Sequence, residues 1–271
     1  MSQVTNDSIR KAVREQYTKV ALAGDAGCGC SSTSCCDTES DGAKTASIKL
    51  GYSDSDVNQV PEGSNMGLGC GNPRAIASLK SGETVLDLGS GGGFDCFLAV
   101  EEVGPSGRVI GVDMTPEMIS RARRNAADAG HDNIDFRLGE IESLPVADSL
   151  VDVVISNCVI NLSPDKSKVF GESFRVLKPG GRIAVSDVVA TADLPEEVLS
   201  DMSMFTGCMA GASTIGDYER ILEEVGFVDV SIQPKDESRD FIRTWAPGSR
   251  IEDYVVSATI EATKSRPSKG N

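Results

Sequence analysis

The sequence predicts an α/β fold, a largely parallel sheet with helices packed on both faces. Three observations carry that expectation. Apolar runs of strand length alternate with helical stretches from Glu83 to about Ala190. The first of these strands runs directly into a glycine-rich turn, and the second ends in an acidic residue, Asp113. Strand–helix alternation at this spacing makes neighbouring strands parallel and turns the helices into crossovers on either face.

The elements follow in order. "DSIRKAVREQYTKVALAG" reads as an amphipathic helix, capped by Asp7 or Ser8, with Ile9, Val13, Tyr17 and Val20 on one face and Gly24 as its stop. From Asp25 to about Ala46 the chain is rich in Gly, Ser, Thr and Asp, and a loop is expected. "TVLDLG" is a buried strand, "FDCFLAVEEVG" a helix and "RVIGVDM" a second strand. "PEMISRARRNAADAG" is a helix with Pro116 in its first turn and Gly130 past its end. "IDFRLGE", "VDVVISNCV" and "GGRIAVSDVV" are further strands, with "SKVFGESFRVL" a helix before the last of them. Beyond Ala190 come a helical stretch, the loop "TGCMAGAST", the helix "DYERILEEVG" and the late strands "VDVSIQP" and "YVVSATIEAT". The tail "KSRPSKGN" is expected to be disordered. With 271 residues, three parts are expected: an N-terminal helix and cysteine-bearing segment over 1–70, the strand–helix domain over 71–190, and a small α+β subdomain over 191–271.

The formal net charge of −15 argues against nucleic acid and anionic membranes as partners. No apolar run approaches the roughly 20 residues that span a bilayer. "MSQVTNDSIRKAVREQ" holds no apolar secretion segment, so a cytoplasmic protein is expected, with its thiols mostly reduced.

Eight cysteines then need a reason. Cys28, Cys30, Cys35 and Cys36 crowd into "CGCSSTSCC", while Cys70, Cys96, Cys158 and Cys208 stand singly. Zinc suits them poorly: the paired C-x₂-C spacing of zinc ribbons is missing, and the chain has one histidine, His131. Cys96, on the helix after the glycine turn, reads as a buried inert thiol. Cys70 and Cys208 lie in the glycine-lined loops "GLGCGNP" and "TGCMAGA", and Cys158 follows the fourth strand, at the strand ends where ligands of such sheets bind. Core filling explains those three badly.

The turn "VLDLGSGGG" lets a ligand lie against bare backbone at Gly89, Ser90 and Gly91. Asp113, about 20 residues on, is placed to pair with ribose hydroxyls. The rival is a nicotinamide dinucleotide fold. Asp87 beside the turn opposes a diphosphate, but it favours the cationic sulfonium and amino group of S-adenosylmethionine. This arrangement resembles the Rossmann-like class I S-adenosylmethionine methyltransferases over residues 83–190. The resemblance implies that Asp87, Gly89 and Gly91 flank the methionine part, while Asp113 and Met114 hold ribose and adenine. "GEIESLP" resembles the motif that reads the adenine edge, which falls to Glu140, with Ile141 or Glu142 sharing the duty. Asn157 is expected to bond to the cofactor amine or to its own turn, and Tyr17 to cover the cofactor or to join the core.

A methyl donor needs an acceptor in line with it, and three thiols near the donor suit a soft, thiophilic one. "GLGCGNP", "VLDLGSGGGFDCFLA", "IGVDMTPEM", "SNCVINLSPDK", "VLKPGGR" and "TGCMAGA" resemble, in order, segments of the arsenite S-adenosylmethionine methyltransferases. The resemblance implies that Cys158 and Cys208 are the central arsenic ligands and that Cys70 is the third thiol or a redox partner. It also implies that a cysteine among Cys28, Cys30, Cys35 and Cys36 serves a disulfide relay as arsenic is re-reduced. Arsenite and methylated arsenicals are then the substrates, thioredoxin or glutathione the reductant, and the protein a monomer. Two other functions fit the residues: a methyltransferase acting on a carbon or oxygen of a small molecule, and a non-catalytic metalloid-binding protein.

Overall fold

The computed structural model describes residues 3–23 and 41–266, and these form one sheet covered by helices. Helix α1 (Gln3–Ala23) is followed, beyond residue 40, by α2 (Asp41–Lys49), α3 (Asp54–Gln59) and α4 (Arg74–Ala77). The alternating region then runs β1 (Thr84–Leu88), α5 (Phe94–Val103), β2 (Arg108–Asp113), α6 (Pro116–Ala129), β3 (Ile134–Leu138), β4 (Val151–Asn157), α7 (Lys166–Val176) and β5 (Leu177–Ala190). The remainder supplies α8 (Glu196–Ser200), α9 (Met202–Thr206), β6 (Ser213–Thr214), α10 (Ile215–Val225), β7 (Phe227–Lys235), α11 (Arg239–Ile242) and β8 (Val255–Lys264).

The strand order is β3-β2-β1-β4-β5-β8-β7, with the short β6 paired beside β5. Strands β1 to β5 pair in parallel, as the alternation requires. The last two break that pattern: β8 runs antiparallel to β5, and β7 antiparallel to β8. No α-helical crossover of βαβ type joins β7 to β8, so they form an antiparallel extension of the same sheet. β1, β2 and β4 sit in the middle, with Val85, Leu86, Ile110, Val153, Val154 and Ile155 inaccessible to solvent. Runs buried on both faces explain why these strands read as continuous apolar stretches rather than alternating ones.

Two sequence expectations change. Helix α1 begins at Gln3, one turn before Asp7 and Ser8, and Asp7 pairs with Arg10 inside the helix rather than capping it. Residues 41–46, expected in a loop, belong to α2. That helix is weakly amphipathic, and it is held by tertiary contact: Ser47 is buried, and Ala43 packs so closely on Gly67 that a Cβ there would stand 3.0 Å from the Ala43 Cα. Gly24, most of the predicted loop and the end of the tail lie outside the described residues. Among the described residues, no helix is long and apolar enough to cross a membrane.

Candidate active site

A cavity of about 660 Å³ opens at the C-terminal ends of β1, β2 and β4, where a parallel sheet of this order presents its ligand crevice. One wall is the glycine turn between β1 and α5. Gly89 has φ +70°, and a Cβ on it would stand 2.5 Å from a Val159 methyl, so only glycine fits. The opposite wall is α1, which lays Arg10, Val13, Gln16, Tyr17 and Val20 along the opening. Arg10 Nε donates to Glu142 at 3.2 Å, and Arg14 donates to Glu140 at 3.3 Å, tying α1 to the segment after β3.

The floor is acidic. Asp87, at the end of β1, is buried, and burial pushes its carboxyl well above the usual range, with Asp95 adding to the shift. Asp95 is also raised by burial, against the pull of hydrogen bonds from Tyr52 Oη at 2.6 Å and Asn157 Nδ2 at 3.4 Å. Asp113 accepts the Gly91 N–H at 3.0 Å and the Thr115 N–H at 2.8 Å, and burial raises it too. Arg10 is the one lysine or arginine among the residues lining the cavity. Three carboxyls whose ionisation burial disfavours form a seat where a cationic ligand would favour their charged form.

S-adenosylmethionine fits this seat on the chain's own terms. Asp87 and Asp95 offer negative charge for a sulfonium and an ammonium, and Asp113 keeps lone pairs free for hydroxyls. The Ser90 hydroxyl is buried with no partner, and a Cβ on Gly111 of β2 would stand 2.8 Å from its oxygen. Met114, Ile141 and Glu142 line the same cavity, whereas Glu140 is absent from its wall and is engaged by Arg14 and Arg10. Asn157 lines the cavity, but protein groups occupy its amide: Oδ1 accepts the Cys70 N–H at 3.0 Å, and Nδ2 donates to the Gly71 carbonyl at 2.8 Å and to Tyr52 Oη at 3.0 Å. It pins the Cys70 loop to the end of β4. Gly69 makes that approach possible, since a Cβ on it would fall 2.8 Å from the Asn157 amide.

Above the floor the thiols gather. The Cys70 and Cys158 sulfurs and an Asp187 oxygen all lie within 4.8 Å of one another. The Cys208 thiol donates to the Cys158 carbonyl at 2.8 Å, and the Cys70 thiol donates to the Ser186 carbonyl at 3.5 Å. Cys70 and Cys208 are buried and Cys158 is half-buried. The backbones of Cys158 and Cys208 are left-handed, at φ 60° and 66°, a conformation that costs a non-glycine residue about 1–2 kcal/mol. Such strain concentrates where geometry serves function. Burial raises the Cys70 thiol; contact with Cys70 and burial raise Cys158 against the pull of Cys208; contact with Cys158 and burial raise Cys208. Tyr17 stands between the thiols and the cofactor seat. Its hydroxyl is pushed up by burial and then by Cys208, Cys158 and Asp113.

The remaining candidates fall elsewhere. Cys96 is fully buried and its thiol donates to Asp87 at 3.2 Å. His131 stacks near Phe97 and does not line the cavity. Cys28, Cys30, Cys35 and Cys36 lie outside the described residues. Sequence reasoning passed over Asp95, Tyr52 and Asp187. Asp95 sits two residues past Gly93, and Asp187 is an ionisable residue set in the apolar run of β5; both were visible signals. Tyr52 gave none. Asp187 is fully buried and pushed up to about 6, chiefly by burial.

Residues 79–226 match the family described as "Methyltransferase domain". The chain is 54% identical over 264 residues to the arsenite methyltransferase of Halobacterium salinarum, covering 95% of this chain and 67% of that protein. It is 44% identical to the arsenite methyltransferase of Aquipseudomonas alcaligenes over 62% of this chain and 50% of that one. Among solved structures it is similar to an arsenic(III) S-adenosylmethionine methyltransferase from Chlamydomonas reinhardtii, at 32% identity and a TM-score of 0.61, covering 87% of this chain and 76% of the other.

Proposed function

The chain belongs to the arsenite methyltransferases, and from that premise we propose that Cys70, Cys158 and Cys208 bind trivalent arsenic as thiolates for methylation. One observation carries this reading: Cys158 and Cys208 line an acidic cavity whose glycine turn suits S-adenosylmethionine, and the sulfur of Cys70, buried and off that wall, lies within 4.8 Å of the Cys158 sulfur. The cofactor supplies a methyl group on a sulfonium, an electrophile that asks for a soft nucleophile.

Arsenic held by three sulfurs keeps a lone pair, and its acidity plays no part, so the site needs no base. Asp87 and Asp95 hold the cationic part of the cofactor, and Asp113 the ribose. Tyr17 and the rest of α1 close the cavity on the side between cofactor and thiols, which orients the two reactants and excludes water.

A cysteine among Cys28, Cys30, Cys35 and Cys36 supplies a loading or relay thiol, and thioredoxin or glutathione restores it. A monomer in the reducing cytoplasm accommodates that chemistry. The decisive experiment is mass analysis of products after incubation with S-adenosylmethionine, a thiol and arsenite. Methylated arsenicals from the wild type, and none from Cys158→Ser or Cys208→Ser with cofactor binding retained, support the reading. Turnover of Cys208→Ser at the wild-type rate would remove the three-thiol site.

A further inference from the structure

We propose that Asn161 is a positioning residue that sets the spacing between Cys158 and Cys208, and thereby whether arsenic is held by three sulfurs or by two. The inference rests on the arsenic reading of the site. Asn161 is fully buried three residues beyond Cys158 and does not line the cavity. Its Nδ2 donates to Asp187 Oδ1 at 2.9 Å and to the Val188 carbonyl at 2.6 Å, and its Oδ1 accepts from Tyr218 Oη at 2.8 Å. Its backbone N–H and that of Ile160 donate to Asp187 Oδ2 at 3.3 and 3.0 Å.

On its other side lies the loop that carries Cys208. A Cβ on Gly211 would stand 2.0 Å from the Asn161 carbonyl oxygen, so the two backbones touch. Lys166 Nζ donates to the Gly211 carbonyl at 2.6 Å and holds that contact from outside. One side chain therefore joins the turn bearing Cys158, the end of β5 and helix α10, and its backbone meets the loop bearing Cys208.

A network of this kind is costly as mere filling. Each polar group in it loses its water, and an apolar residue of similar volume would pack the same space. Hydrogen bonds differ from apolar packing in being directional, so a fully satisfied buried network fixes distances that greasy contacts let slide. The distance that matters here is between two strained thiol-bearing turns, since arsenic bonds to sulfur tolerate little misplacement.

Gly211→Ala drives a wedge between the two turns, while Tyr218→Phe and Lys166→Met each remove one strut and keep the side chain's bulk. X-ray absorption on the arsenite-loaded protein counts the sulfurs around arsenic. The fluorescence of Trp245, the single tryptophan and part of the cavity wall, reports arsenite affinity. Calorimetry with S-adenosylhomocysteine reads the cofactor half separately.

Gly211→Ala is expected to show two sulfurs and one oxygen, with arsenite bound on the order of a hundredfold more weakly because one tethered ligand is lost. Tyr218→Phe and Lys166→Met should weaken arsenite binding about three- to tenfold, the worth of one hydrogen bond. S-adenosylhomocysteine affinity should stay within about twofold in all three, as for independent sites. If Gly211→Ala does not fold, the two strut variants decide alone. Three-sulfur coordination with wild-type arsenite affinity in the folded variants would overturn the positioning role. A wild type that binds arsenite without sulfur would overturn the arsenic reading and this inference together.

Discussion

Cys70, Cys158 and Cys208 are all shifted toward the protonated thiol, which has a consequence in protons. Arsenous acid reacting with three neutral thiols releases three waters and exchanges no protons with the buffer. With three thiolates, the same product requires uptake of three protons. Near neutral pH the raised thiols predict an uptake close to zero, which grows as pH rises through the folded-state pKa values and the thiols ionise. Calorimetry of arsenite binding in buffers of different ionisation enthalpy measures it directly. A full three-proton uptake at pH 7 would show that the thiols are ionised before arsenic arrives. At this scale the sequence was legible where a residue type is unusual for its neighbourhood: a cysteine between glycines, an aspartate before a glycine turn. It was silent on Asn161 and Tyr218, because a polar residue within a largely apolar segment reads the same whether it is a hub or a surface side chain. Only the fold, which buries both completely, separates the two.

Among the elements, α1 matters most to the site. It is fixed by buried Ile9, Val13 and Ala21, by the Arg10–Glu142 pair, and at its end by Arg121, which donates to the Ala21 carbonyl at 2.7 Å. With the Arg14–Glu140 pair, Thr18 donating to Glu117 at 3.1 Å and the packing of Tyr17 and Val20, these contacts hold it over the cavity, so its docking should respond to what the cavity contains. Val13→Ala should weaken the docking by about 2 kcal/mol through lost burial, seen as faster hydrogen exchange in α1 with the central strands unaffected. S-adenosylhomocysteine should slow exchange in α1 of the wild type, and unchanged exchange would mean that the helix is no wall of the cofactor site. The sequence revealed this helix through its apolar face but missed its first turn, since Gln3 to Asn6 carry no such face. It missed α2 for a related reason: short helices of small residues draw their stability from docking, which leaves no periodicity to read. The strands β1 to β5 were plain because burial on both faces demands uninterrupted apolar runs, whereas the antiparallel course of β8 is decided by a connection, not by composition.

For the whole molecule, the net charge of −15 and the three aspartates of the cavity floor act in the same direction. S-adenosylmethionine carries one net positive charge, and S-adenosylhomocysteine, having lost the sulfonium, carries none. Raising ionic strength to about 0.5 M, where the screening length falls to a few ångströms, should weaken the first more than the second. Arsenite, neutral at pH 7, should bind equally well throughout. A parallel decline of both nucleosides in a salt titration would assign the acidic floor a structural rather than an electrostatic role.

The three thiols come from segments far apart in the chain, so an arsenic atom bound to all of them is also a cross-link. It closes two long loops at once, and in the chain-entropy picture each closure restrains the unfolded state by on the order of 4 kcal/mol. Trivalent arsenic forms three bonds, and once a methyl has added to its lone pair and thiols have reduced arsenic back to the trivalent state, that methyl stands in place of one arsenic–sulfur bond. A monomethylated product can hold at most two cysteines and a dimethylated one only a single cysteine, which closes no loop. The cross-link is therefore dismantled by the reaction it serves. Thermal unfolding with saturating ligand should show the largest rise in midpoint with arsenite, a smaller one with trivalent monomethylarsenic, and almost none with the dimethyl form. Equal shifts for all three would mean that arsenic never spans the three segments. If the order holds, valence itself loosens the grip on the product step by step, and release needs no separate conformational trigger.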